Sequence, residues 1–144
     1  MVNPDTVKLL KECNSGIKMG ISTLEDVIPK VSDGKFRDIL EKSLDENTRL
    51  GKKTAKALEN AGDDGKEPPS MAKGMAWIKT NVMLAMEDSD EKAASLITDG
   101  CHMGIKSINK YLNEYKEADS DSKNIAKQIV EIEENLAQDI RVYL

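Results

Sequence analysis

The sequence holds few aromatic residues: one Trp, three Tyr and one Phe in a chain of 144 residues. Charged residues and good helix formers fill the chain instead, and this balance favours helices over sheets. Cysteine is also scarce: Cys13 and Cys101 are the only two. They have neither the spacing of a CxxC redox motif nor the clusters of a zinc site, so we expect inert core thiols. The composition predicts an all-α protein, and the length suits a single domain over residues 1–144.

Features that direct a protein to a membrane or to nucleic acid are also missing. The amino terminus has no basic start followed by an apolar region, and a run of 18 apolar residues occurs nowhere. We therefore expect a cytoplasmic protein that does not contact a membrane. The net charge of −5 and the lack of a dense Lys/Arg patch disfavour nucleic acid as a partner.

What the chain does contain is apolar residues at helical spacing. Asn3 and Pro4 form a start signal for a first helix that ends near residues 28–31, and Asp33 is placed to cap a second helix that ends at Gly62. The two helices are expected to form an antiparallel hairpin. Residues 62–70, which contain two Gly and two Pro, predict a loop, and residues 71–86 predict a shorter helix.

A second hairpin is predicted beyond the short helix. Asp88 and Glu91 have the spacing of a capping box, and the apolar series from Ile97 to Tyr115 follows them. The last helix is expected after the segment EADSDSK. The predicted organisation is a first hairpin at 4–61, a crossover at 62–87 and a second hairpin at 88–144.

The two predicted hairpins share sequence. "CNSGIK" at residues 13–18 returns as "CHMGIK" at residues 101–106, and ten of 35 residues are identical when residues 13–47 are laid over residues 101–135 without a gap. The matches include Gly16 with Gly104 and the turn "SDGK" with "SDSK". The pattern indicates an internal duplication with turns at equivalent places. Two unrelated amphipathic helices that share residues by chance are the alternative.

A duplicated helical hairpin with a long crossover resembles the ferritin-like superfamily, and this resemblance implies an antiparallel four-helix bundle. More narrowly, Trp77, Ile78 and Lys79 in the crossover resemble a group of uncharacterised bacterial ferritin-like domains. Ferritin-like enzymes with a metal centre carry an inward Glu on one helix of each hairpin and Glu-x-x-His on the other. Here the corresponding central positions hold Gly16 and Gly104.

The metal ligands of that resemblance are otherwise incomplete. Glu46 and Glu134 are the nearest matches to the Glu-x-x-His motifs, but neither has the His three residues later. The only histidine, His102, falls on the polar side of its helix with Asp99 three residues before it. We therefore expect no metal and no cofactor, and Glu46, Asp99, His102 and Glu134 remain the ligands of an alternative, degenerate di-metal site.

Two further groups of residues are candidates for function. Polar side chains on the apolar stripes of the first hairpin can line a small pocket or bind each other and water; they are Asn14, Ser43, Asn47 and Thr54. Apolar side chains crowd the crossover helix and can form a homodimer or partner interface; they are Met71, Met75, Trp77 and Met83. The sequence thus predicts a non-enzymatic bundle for protein association or small-ligand binding, with a degenerate oxidoreductase or metal-storage protein as the alternative.

Overall fold

The computed structural model describes residues 2–85 and 89–144. Within these ranges no strand occurs, so the predicted all-α class is confirmed. The described residues form five α-helices and two 3-10 turns. The helices are α1 (Pro4–Val27), α2 (Gly34–Asn60), α3 (Pro69–Ala85), α4 (Asp90–Glu114) and α5 (Ser120–Asp139), and the turns are Ile28–Lys30 and Arg141–Tyr143.

The first two helix starts agree with the sequence prediction. Asn3 precedes Pro4 and its side chain accepts a hydrogen bond from the backbone N–H of Asp5. Asp33 accepts one from the N–H of Phe36 at 2.9 Å. Both side chains satisfy an N–H group that has no partner within the helix.

The starts of the last two helices were predicted less well. Ser89 caps α4 by accepting from the N–H of Lys92 at 3.1 Å, and the expected cap, Asp88, lies outside the described residues, as does Met86 of the predicted crossover helix. The last helix does not follow the segment EADSDSK but begins inside it, at Ser120. Asp119 is its cap, accepting from the N–H of Ser122 at 2.8 Å, so "SDSK" forms the first helical turn. In the matching "SDGK" the cap is Asp33, whose repeat equivalent is Asp121, so the two caps differ by two residues and the prediction of turns at equivalent places is wrong in this detail.

Helix directions follow from two apolar clusters at opposite ends of the core. One cluster joins the end of α1 and the start of α2 to the start of α4 and the end of α5; it includes Leu24, Phe36, Ile97 and Leu136. The other joins the opposite ends of the same helices; it includes Leu9, Leu58, Ile108 and Ile125. Helix α1 is therefore antiparallel to α2 and α4, and α5 is antiparallel to both of those helices.

Helix α3 carries the chain from one end of the core back to the other. It packs on α1 and α4, and its buried side chains Ile78 and Val82 join the cluster that contains Phe36. Lys18 on α1 pairs with Glu67 in the preceding loop at 2.7 Å. Helices α2 and α4 run in the same direction, so the chain must return along the core between them. Helix α3 makes this return while packed on α1 and α4, without a knot or a long unsupported loop.

Each pair of long helices also holds the turn of the other pair. The carboxylate of Asp90, at the start of α4, accepts from the N–H groups of Ser32 and Asp33, both at 2.9 Å. At the opposite end, Asp5 of α1 accepts from the N–H of Glu117 at 3.0 Å. Thr6 Oγ1 accepts from the N–H of Asp119 at 2.8 Å. The start of one hairpin's first helix therefore satisfies backbone donors in the other hairpin's turn.

Among the described residues, no helix is both long enough and apolar enough to cross a membrane.

Candidate functional site

A cavity of about 310 Å³ lies between α1, α3 and α4. This volume falls within the range of small-molecule sites in proteins, about 300–1,000 Å³. Apolar side chains form most of its wall, among them Met19 on α1, Trp77 on α3 and Ile97 on α4. Glu133 of α5 and Asn47 of α2 reach the same space. All five helices therefore contribute to one concave, mainly apolar site.

Glycines create the space between α1 and α4. Gly16 and Gly20 on α1, and Gly100 and Gly104 on α4, are spaced four residues apart and line the cavity. A Cβ on Gly104 would lie 3.6 Å from Cδ of Glu133, and one on Gly20 would lie 4.0 Å from its Oε1. The carboxyl group of Glu133 thus lies beside two glycines, at a distance where a Cβ would make ordinary van der Waals contact and a larger side chain would crowd it.

A further glycine brings α3 close to α1. A Cβ on Gly74 would lie 1.8 Å from the sulfur of Met19, a distance that no real Cβ contact has. Met19 therefore lies directly over the backbone of α3, and only glycine permits this without moving the Met19 side chain. The contact positions α3 as an outer wall of the cavity.

Glu133 is the acidic group at the cavity whose pKa is shifted into the neutral range. Burial away from water raises the pKa of its carboxyl from 4.5 to about 7, although a hydrogen bond with Cys101 opposes part of this rise. The carboxyl is therefore divided between its neutral and charged forms near neutral pH. Titratable groups shifted in this way by desolvation are typical of functional sites.

The thiol beside Glu133 is not activated by it. Burial and the nearby Glu133 carboxylate raise the pKa of Cys101, and burial raises the pKa of Cys13 to about 12. Because the thiolate is the reactive form of cysteine, both thiols stay protonated and unreactive near neutral pH. Cys13 and Cys101 are both free and buried.

The cavity has a polar end as well. Ser70 of α3 donates a hydrogen bond to the carboxylate of Glu12 on α1 at 2.7 Å. Burial, and then the neighbouring Glu12, raise the pKa of Tyr111, which lines the same end. Lys73, also at the lining, is exposed to solvent. The site therefore combines an apolar body with polar groups at Glu133 and near Glu12.

Of the four predicted pocket residues, only Asn47 lines the cavity. Its side-chain N–H donates to the backbone carbonyl of Ser43 at 2.9 Å, so Ser43 orients Asn47. Thr54 is buried but donates to the carbonyl of Leu50 at 2.7 Å within its own helix. Asn14 is half-buried and lies outside the cavity lining.

The four residues of the alternative metal site lie apart from the cavity. Glu46 lines a separate surface groove between α2 and α5 together with Arg49. Glu134, Asp99 and His102 are exposed. Within residues 2–85 and 89–144, His, Cys, Asp and Glu side chains form no group of three or more placed to hold a metal ion. The cavity itself offers Glu12 and Glu133 without an imidazole, a donor set that does not fit the two-metal centre of ferritin-like enzymes.

The predicted apolar interface on the crossover helix is largely turned inward. Met75 and Trp77 pack against the core, and Met71 is half-buried. Met83 alone of the four is strongly exposed, at 65%. Trp77 instead belongs to the cavity wall.

The sequence did not predict the cavity or the position of Glu133 at its wall. The available signal was the pair of Gly-x-x-x-Gly spacings, at Gly16 and Gly20 and at Gly100 and Gly104. Glycine inside a helix destabilises it by about 0.5–1 kcal/mol relative to alanine, so four such residues with the same spacing on two helices call for a packing reason.

Comparison with known protein families, with curated proteins and with solved structures gives no significant match for the chain.

Proposed function

We propose that this chain is a ferritin-like four-helix bundle, formed by α1, α2, α4 and α5, that binds a small, mainly apolar ligand in the cytoplasm and catalyses no reaction. The observation that carries the proposal is the glycine-lined cavity of about 310 Å³ with the carboxyl of Glu133 at one side. The cavity lies between two of the bundle helices, α1 and α4, and the crossover helix α3, and Glu133 of α5 and Asn47 of α2 reach it.

The proposed duplication is supported by the reciprocal turn contacts. Asp90 binds the turn between α1 and α2, and Asp5 and Thr6 bind the turn between α4 and α5. Cys13 and Cys101, which are equivalent in the proposed repeat, are both buried on the first helix of their hairpin. Two copies of an ancestral hairpin related by an approximate two-fold axis would have both properties.

Binding is favoured over catalysis by the state of the neighbouring groups. A catalytic pair of Glu133 as base and Cys101 as nucleophile would need a thiolate, but burial and the charge of Glu133 keep Cys101 protonated. The ligand-binding proposal is also favoured over protein association, because the candidate interface on α3 exposes mainly Met83. A homodimer remains a proposal of the sequence alone.

Titration with the neutral dye N-phenyl-1-naphthylamine tests ligand binding. Trp77 is the only tryptophan and lines the cavity, so energy transfer from its emission to the dye reports binding there. We expect saturable binding of one dye per chain. A Cβ on Gly100 would meet no atom within 4 Å, so Gly100→Leu places a side chain in the open cavity and is expected to weaken binding at least tenfold.

The matched control is Gly34→Leu. A Cβ on Gly34 would also meet no atom within 4 Å, but Gly34 is exposed at the start of α2 and lies away from the cavity. This variant is expected to bind the dye like the wild type. Absence of saturable binding to the wild type, or equal loss in both variants, would contradict the proposal.

A further inference from the structure

We infer that the ligand of this cavity is a small amphipathic cation, a protonated amine on an apolar body, whose ammonium group pairs with Glu133. This inference deepens the proposed function and rests on it. It concerns the charge of the ligand, which the volume and the apolar wall of the cavity do not decide.

The lining of the cavity carries an excess of negative charge. Glu133 and Glu12 bring two carboxylates to the cavity, and among the described residues the only cationic side chain at the lining, Lys73, is exposed to solvent. A carboxylate held in an apolar site is destabilised unless a positive charge or several hydrogen bonds compensate it. A cationic ligand supplies that charge, whereas an anionic ligand adds a second unfavourable one.

Glu133 lies beside two glycines of the cavity wall. Its carboxyl lies between Gly20 and Gly104, within 4.0 Å of the points where their Cβ atoms would be, so no side chain from α1 or α4 covers it at those positions. Asn47 Oδ1 lies 3.4 Å from the same point at Gly20. The side-chain amide nitrogen of Asn47 donates to the carbonyl oxygen of Ser43. The Oδ1 atom of Asn47 can therefore accept a hydrogen bond from a ligand. Two acceptors beside one opening suit a ligand with several N–H donors.

The rest of the cavity wall is formed by aromatic and aliphatic side chains. Trp77 and Tyr111 offer aromatic surface, which attracts cations as well as hydrocarbon. Met19, Ile97 and Ile108 offer aliphatic surface for an apolar body. The wall therefore accommodates both parts of an alkylamine.

Proton binding to Glu133 competes with such a ligand. The charged or titratable groups facing the same cavity are Glu12 on α1, Lys73 on α3 and Cys101 and Tyr111 on α4; α2 contributes the uncharged Asn47. Because burial raises the pKa of Glu133 to about 7, its carboxylate form falls to a minority as the pH drops to 6. The apparent affinity for an amine falls with the fraction of protein in the competent form, so it should drop on the order of tenfold between pH 8 and pH 6.

Three ligands of equal chain length test the inference: octylamine, octanol and octanoate, each titrated at pH 8 with Trp77 emission or calorimetry as the readout. We expect octylamine to bind at least tenfold more tightly than octanol, and octanoate to bind most weakly. In Glu133→Gln the preference for octylamine and its pH dependence are expected to disappear. The exposed neighbour Glu134→Gln is the matched control and should bind like the wild type.

The outcomes separate this inference from the proposed function. If the neutral dye and octanol bind but octylamine has no advantage, or if Glu133→Gln keeps the advantage, the inference is wrong while ligand binding stands. If neither the dye nor any of the three ligands binds, the proposed function fails together with the inference.

Discussion

Replacing Phe36 by alanine is expected to lower the free energy of unfolding by about 3–5 kcal/mol, the range for truncating a fully buried aromatic side chain. Phe36 has 0% exposure and lies in the first turn of α2, within the cluster that joins both hairpins. Its ring stacks on Tyr143 with centroids 4.5 Å apart and planes 8° from parallel. The change therefore removes the α2 side chain from a cluster shared with α1, α4 and α5, together with its stacking on the last turn of the chain.

Urea denaturation followed by circular dichroism measures this loss. Phe36→Leu is the matched control, because it keeps a branched apolar side chain, leaves a smaller cavity and should lose less stability than Phe36→Ala. Single domains are stable by only about 5–15 kcal/mol, so the alanine variant is expected to be partly unfolded at modest urea concentrations. Equal stability of the alanine variant and the wild type would show that Phe36 does not join the hairpins as described.

The second large effect is expected from Glu133→Gln at pH 8. Because the folded-state pKa of Glu133 lies above its unfolded value, the folded protein binds the proton more tightly. The associated stability is fully present below about pH 4.5 and is lost as the pH rises through about 7. A rise in pKa from 4.5 to about 7 corresponds to about 3 kcal/mol. The glutamine side chain carries no charge at any pH, so the variant should be more stable than the wild type at pH 8 by about that amount.

Urea denaturation between pH 4.5 and pH 8 checks the sign and the pH window. The wild type should lose stability relative to Glu133→Gln across this range, and Glu134→Gln should follow the wild type because Glu134 is exposed. A constant difference between Glu133→Gln and the wild type would mean that the carboxyl of Glu133 is solvated like any surface group. If Glu133→Gln is more stable than the wild type at pH 8, the wild type keeps a carboxylate beside the cavity that lowers its own stability. Binding sites often contain such destabilising groups.

The helices could be predicted because each buries a continuous stripe against the same core. Ile17, Leu40, Ile108 and Ile125 are all buried where the 3- and 4-residue steps place them. The start of α5 was harder, since Asp119 and Asp121 both have the chemistry of a cap and only one can occupy that place. Tertiary contact decided between them: the N–H of Asp119 is bound by Thr6 from α1, which fixes the turn one residue before the helix.

The cavity was harder still, because it depends on how elements distant in sequence approach each other. Asn47 could be found as a polar residue on an apolar stripe. Glu133 and Glu134 both flank the stripe of α5, and the choice between them depends on the space left by Gly20 and Gly104 on two other helices. The close contact of the Met19 side chain with Gly74 of α3 is likewise not revealed by any periodicity.

A crystal structure of the wild-type protein grown with saturating octylamine at pH 8 tests the central claim most directly. We predict that the amine nitrogen lies about 3 Å from a carboxylate oxygen of Glu133, the distance of a charge-assisted hydrogen bond, and that the alkyl chain lies against Trp77 and Ile97. A cavity without the amine, or an amine bound only in the α2–α5 groove beside Glu46, would contradict it.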